Sequence, residues 1–397
     1  MRRLWLISFS IFIWSLFSLS FPASTKVTLN QFLAKVLTMY PSLKTLHAQV
    51  DSQRAALQNT GSLAEPFLSY ESAPNPMVQF KQKINNPLKV QTDQSLSSRD
   101  VALSELRLQA TQRSLTATAK KLYYRLYALN KLLSLTREEQ RVLDQMYRSS
   151  LRQYETNLTT QQDPLTMSLM RTEVTIKLEQ LNQEQQSLLT EAKRWVGGDD
   201  ITLLFPDSLT VSPLDQDISF FQKKALSTGN LEVALAGVEF EKATLATHLT
   251  DLSRLFELEL GAGYDTTMGT FSWMAGISLP LWIGKIETSH RFQDSLTWSA
   301  SENMKDVILR VRSDVANLVY KIQSADHILP LYEKDLLPKA KQARNLGQVS
   351  YQTGKQRLSE WATAEQRYLT LSGQFYQLLA ERLSLEADLE EMAGTWR

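Results

Sequence analysis

From about Asp93 to Tyr154 the chain contains neither glycine nor proline, and leucine and alanine recur every three or four residues. That spacing predicts one uninterrupted helix of about sixty residues, ~90 Å long at 1.5 Å per residue. A compact domain has no use for such a rod, so its apolar stripe has to be buried lengthwise against other helices. After a short break at "QYETNLTTQQDPLT" a second helix is expected over about 160–196. It ends at Gly197–Gly198, a left-handed stop. The same programme returns near the C-terminus. A helix is expected from about 285 to 351, flexed near Pro330 and Pro338, and a last one from about 357 to 393, with Gly354 breaking the pattern between them.

Each helical hairpin is preceded by a region of different period. Leu29, Phe32, Leu33, Val36 and Leu37 begin a helix that breaks at Tyr40–Pro41, since the residue before proline disfavours the α region. Residues 66–90 then hold several prolines and an alternating run from Val78 to Ile84, read as a strand pair. In the second half, 218–252 is helical with a break near Gly229–Asn230, and 255–282 alternates cleanly. Leu258, Leu260 and Tyr264 fall on one face of the first strand; Phe271, Trp273 and Ile277 fall on one face of the second. Their opposite faces carry Glu, Gly, Ser and Met, and "DTTMGT" supplies the turn.

Helix, β-hairpin, long helix, helix is thus written twice. Tyr154 and Tyr351, Thr156 and Thr353, Leu181 and Leu378, Leu188 and Leu385, and Gly197 and Gly394 all stand at one common offset. The expected division is a first repeat over 25–197, a linker over 198–217, and a second repeat over 218–397.

Strands with one apolar face and one small or polar face suit a soluble core or a transmembrane β-barrel. Four strands cannot close a barrel, and open edges are not tolerated in lipid. Membrane-spanning strands here therefore require two or three copies to share one barrel. The N-terminus favours export: Arg2 and Arg3 precede an apolar run and then Ser18, Ser20, Ala23 and Ser24, the grammar of a signal peptide over 1–24. Without Arg2 and Arg3 the 43 basic residues fall one short of the 42 acidic ones, so nucleic acid is not an expected partner. The chain has no cysteine and hence no site for a lipid anchor.

No catalytic constellation is present, and the chain is not expected to be an enzyme. His47, His248, His290 and His327 lie on separate helical segments without metal-ligand spacing. The ten methionines are scattered, which suits packing better than a relay for soft metals. No glycine-rich phosphate loop precedes a helix, so no cofactor is expected and any energy comes from a partner.

Several segments together resemble the TolC-type outer-membrane efflux proteins of Gram-negative bacteria. They are "TLNQFLAKVLTMYPSLKTLHAQV", "NNPLKVQ", "GDDITLL", "GISLPLWIGK" and the tip "YQTGKQRLSEWATA". The resemblance spans nearly all of the chain after residue 24. It implies a mainly α fold with a β-barrel: a homotrimer with a twelve-stranded barrel in outer-membrane lipid, continued by a periplasmic α-helical barrel. It also implies a passive duct joined by a periplasmic adaptor to an inner-membrane transporter. Leu258, Leu260, Tyr264, Phe271, Trp273 and Ile277 would then face the membrane. The adaptor would meet Asn157, Leu158 and Thr159 at one tip and Gly354, Lys355, Arg357, Leu358 and Ser359 at the other. Glu360 falls where the family carries the first of two entrance acids, Thr363 falls where it carries the second, and Asp163 is the matching acid of the first half. The competing reading is a structural periplasmic coiled-coil or adaptor-like protein tethered by its N-terminal segment. Such a protein has no need of aromatic-faced hairpins.

Overall fold

A computed structural model describes residues 25–62, 64–72, 76–198, 201–252, 257–278 and 283–394. The expected signal peptide, 1–24, lies outside them.

The long rod is α3, Pro87–Glu155, 69 residues without interruption. It begins earlier than the predicted 93, because Asn86 and Pro87 form a start signal. The Asn86 side chain accepts a hydrogen bond from the Leu88 amide, and Pro87 occupies the first helical position, where its missing N–H costs nothing. Helix α4, Gln162–Trp195, runs back along α3. The opening helices α1, Leu29–Met39, and α2, Pro41–Asn59, also lie on α3, broken where Pro41 follows Tyr40.

In the second half α5, Ile218–Lys224, leads through a π turn at Ala225–Gly229 into α6, Leu231–Leu252. Helix α7, Ile283–Leu331, passes through a second π turn at Tyr332–Leu336 into α8, Leu337–Gln352. Pro330 and Pro338 bracket that π turn, and the amide hydrogens they lack displace the hydrogen-bond ladder. Helix α9, Leu358–Ala393, returns along α8, α7 and α3. The two helical hairpins therefore share a core, in which Leu122, Leu126, Leu133, Leu143 and Met146 of α3 cluster with Met167 and Leu178 of α4 and with Leu358 and Trp361 of α9.

The strand pairs do not stay separate. Strands β2, Phe67–Glu71, and β3, Met77–Ile84, join β5, Glu257–Asp265, and β6, Thr270–Ser278, in one antiparallel sheet of order β2-β3-β5-β6. Within it β2 and β6 are open edges. The segment expected as a plain linker, 198–217, contributes β4, Ile201–Leu203, paired in parallel with β1, Thr25–Val27. Three-residue strands so far apart in sequence leave no periodic signal. The rest of that segment is strapped to the bundle. Arg382 of α9, fully buried, donates to Asp326 of α7 (2.7 Å), to Glu386 (2.5 Å) and to the Ser212 carbonyl (3.0 Å), while Asp326 accepts from the Leu214 amide.

Candidate functional site: an apolar sheet face and two helical tips

Register turns the sheet into two chemically distinct faces. Leu68 opposes Phe80 and Tyr70 opposes Val78; Val78, Phe80 and Ile84 oppose Tyr264, Ala262 and Leu258; these in turn oppose Phe271, Trp273 and Ile277. All of these fall on one side of the pleat. Leu68, Tyr70, Phe80, Leu258, Leu260, Tyr264, Phe271, Trp273 and Ile277 are exposed, Trp273 by 84%. Gln82 is the polar exception, and its amide donates to the Ala64 carbonyl at 2.7 Å.

The other face carries Lys81 and Lys83 beside Glu257, Glu259, Gly261 and Gly263. Lys83 and Lys89 both pair with Glu257, at 2.5 and 3.1 Å. A side chain at Gly263 would lie 2.9 Å from the Ser272 hydroxyl and 3.2 Å from the Met77 sulfur, so neighbouring side chains lie flat over the glycines. The Asp265 carboxylate closes the β5–β6 turn by accepting from the Thr267 and Met268 amides. Among the described residues no helix is long and apolar enough to cross a membrane.

At the opposite end of the helical hairpins lie two tips with one construction. Amides of Thr156, Asn157 and Leu158 donate to carbonyls of Arg152, Tyr154 and Gln153; those of Thr353, Gly354 and Lys355 donate to Val349, Tyr351 and Ser350. In both, the central residue takes the left-handed conformation, Asn157 at φ 58° and Gly354 at φ 71°. Glycine adopts it freely and asparagine at small cost, which is why these two residues end helices otherwise built from good formers.

The expected tip residues separate by exposure. Asn157, Leu158, Gly354, Lys355, Arg357, Ser359, Glu360 and Thr363 are exposed, Leu158 by 78%. Leu358 is not: at 4% exposure it packs in the core, and its assignment to an adaptor-contact surface is corrected. It precedes Trp361 by three residues and Glu365 by seven, so helical phase turns it inward. Asp163, in the first turn of α4, accepts a hydrogen bond from the Thr159 hydroxyl at 2.5 Å and so braces its own turn. The Thr363 hydroxyl donates to the Ser359 carbonyl. Glu360, also in a first helical turn, makes no ion pair among the described residues.

Sequence reasoning passed over the buried polar groups behind the second tip. Tyr351, Trp361 and Glu365 are all under 5% exposed. Burial, then the nearby Asp163 carboxylate, pushes the Tyr351 phenol up to about 12. The available signal was phase: Glu365 continues the stripe of Leu358, Trp361 and Leu369.

The fold is that of the TolC-type outer-membrane channels. The particular likenesses are to the outer-membrane protein VceC of Vibrio cholerae, to CusC, and to the CmeC outer-membrane channel of Campylobacter jejuni. VceC superposes with a TM-score of 0.75 at 16% identity, over 92% of this chain and 96% of its own. CusC gives 0.80 at 14%, over 96% of each chain. CmeC gives 0.79 at 12%, over 92% of this chain and 85% of its own. At these identities the shared property is the fold. No family model and no curated protein matches the sequence.

Proposed function

We propose that the chain is one subunit of a passive outer-membrane efflux duct. In this reading three copies close a twelve-stranded barrel in outer-membrane lipid, and their helical hairpins form a periplasmic tube. The observation that carries it is the four-stranded sheet: one face almost wholly apolar and exposed, the other mixing lysines, glutamates and glycines with Phe67 and Met274, and both edge strands unpaired among the described residues. Unpaired edges are untenable in lipid, so lipid contact demands further copies. Helix α7 supports the same closure. Trp298, Leu309, Tyr320 and Leu331, spaced at eleven residues, are each about 60–70% exposed and form a straight stripe suited to a neighbouring helix.

The tip residues Asn157, Leu158, Thr159, Gly354, Lys355, Arg357 and Ser359 would meet a periplasmic adaptor, which in turn joins an inner-membrane transporter. Glu360, with Thr363 one turn beyond it, and Asp163 of the first tip would line the entrance. The chain is expected to fractionate with the outer membrane and to migrate as an oligomer that heating dissociates. Recovery wholly in the soluble periplasm would instead support the tethered coiled-coil reading. Three Glu360 carboxylates near one axis would repel one another and attract a cation. Glu360→Gln is therefore expected to relieve block by divalent cations in planar bilayers, and unchanged conductance and block would remove Glu360 from the entrance.

A further inference from the structure

Two carboxyl groups are buried where the helical hairpins meet. Glu139 of α3 is 8% exposed and Glu365 of α9 is 1% exposed. Arg344 of α8 brings its Nε within 3.0 Å of Glu365 Oε2 and lays its guanidinium over the Tyr368 ring at 5.0 Å. Lys177 of α4 attracts Glu139, and Glu138 of α3 repels Glu365. Arg344 is the cation set against Glu365, opposing the effect of burial by its charge and by a side-chain hydrogen bond. Nearer the tip, the Trp361 indole N–H and the Tyr351 hydroxyl are buried without a partner among the described residues. An apolar side chain would pack this layer better than two carboxyls around one guanidinium.

Burial pushes the Glu139 carboxyl up to about 7, against attraction by Lys177 and Arg344 and with added repulsion from Glu365. Burial raises Glu365 as well, opposed by Arg344. Both groups therefore hold a proton more readily inside the interface than in water.

We propose that Glu139 and Glu365 form a proton-operated latch that docks the α8–α9 hairpin onto α3. With the carboxyls neutral the hairpins stay together; ionised, the two repel each other across a surface that cannot solvate them, and the α9 tip comes away. The π turn at Tyr332–Leu336, between Pro330 and Pro338, is the hinge, and Arg344 lies on the moving side of it. The latch is internal to one chain and does not depend on lipid, adaptor or cargo.

The sign follows from linkage. A carboxyl whose docked value lies above its ordinary 4.5 stabilises docking fully below 4.5 and ceases to do so as pH rises through about 7. For Glu139 alone the docking constant should fall by up to ~10²-fold between pH 5 and pH 8.

The chain has no cysteine, so an introduced pair is unique. Gln145→Cys on α3 and Gln366→Cys on α9, both exposed, take nitroxide labels in the full-length protein, diluted with unlabelled chain. Pulsed electron-resonance distances should show one short population at pH 5.5. At pH 8.5 a longer population should rise at least tenfold relative to it. Glu139→Gln with Glu365→Gln should hold the short distance at both pH values. Arg344→Gln, which removes the guanidinium set against Glu365, should enlarge the long population at pH 8.5. A distribution identical at the two pH values overturns the latch, as does an undiminished pH response in the double variant. Should the double variant fail to assemble, Glu139→Gln alone decides, because an unchanged response there is equally fatal.

Discussion

Leu260→Arg is expected to abolish stable assembly in the outer membrane, while Glu259→Arg, one residue earlier, leaves assembly intact. The two positions are neighbours in β5 and lie on opposite faces of the sheet. Leu260 stands with Leu258, Tyr264 and Trp273; Glu259 stands with Lys83 and Gly261. In the proposed barrel the first face meets hydrocarbon and the second meets the lumen. An arginine near the bilayer midplane costs ~2–4 kcal/mol, and three symmetric copies would bring the total to ~6–12 kcal/mol. The lumen face already holds Lys81 and Lys83, so a further cation there meets water and carboxylates. Separation on a density gradient and the heat-dissociable band on a gel read the outcome. Equal behaviour of the two variants would show that the sheet has no lipid-facing side.

How much of this was legible in the sequence depended on how local each cause was. The rods were legible because leucine periodicity without a breaker has only one regular solution, and α3 exceeds its predicted length only through the Asn86–Pro87 start. The second hairpin was legible from strict alternation. The first was legible as a strand pair from the alternating run Val78–Ile84, but not the faces on which Lys81 and Lys83 would stand. Pairing between β3 and β5 shows that they share one face of the sheet with Glu257 and Glu259. The β1–β4 pairing was not legible, since it is a tertiary contact between two short stretches with no period of their own. At the tips, Gly354 and Asn157 announced the turns, but nearness to a turn was mistaken for exposure at Leu358. The buried Glu139 and Glu365 were passed over, although each stands in phase with a core stripe.

Arg382→Met is expected to destabilise the folded protein by ~3–5 kcal/mol, the cost of leaving buried charge uncompensated. Arg382 is fully buried and binds three partners from three segments: Asp326 on α7, Glu386 one turn along α9, and the Ser212 carbonyl in the strap that joins the two halves. Without its guanidinium, Asp326 keeps only the Leu214 amide as a donor among the described residues and faces Glu386 as a like charge. Both carboxylates are nearly buried, at 12% and 13% side-chain exposure, so water screens their repulsion poorly. The apparent Tm should fall by on the order of 5–10 °C, and protease should cut first in the strap over 204–217. Arg382→Lys keeps the charge but not the planar fork that reaches Asp326, Glu386 and Ser212 together, so it should fall between the two. Adding Asp326→Asn to Arg382→Met removes the buried carboxylate that has lost its guanidinium and should recover part of the loss, because the penalty lies in uncompensated charge rather than in the volume of the side chain. A single variant that melts within 1 °C of the parent would show that Arg382 only fills space.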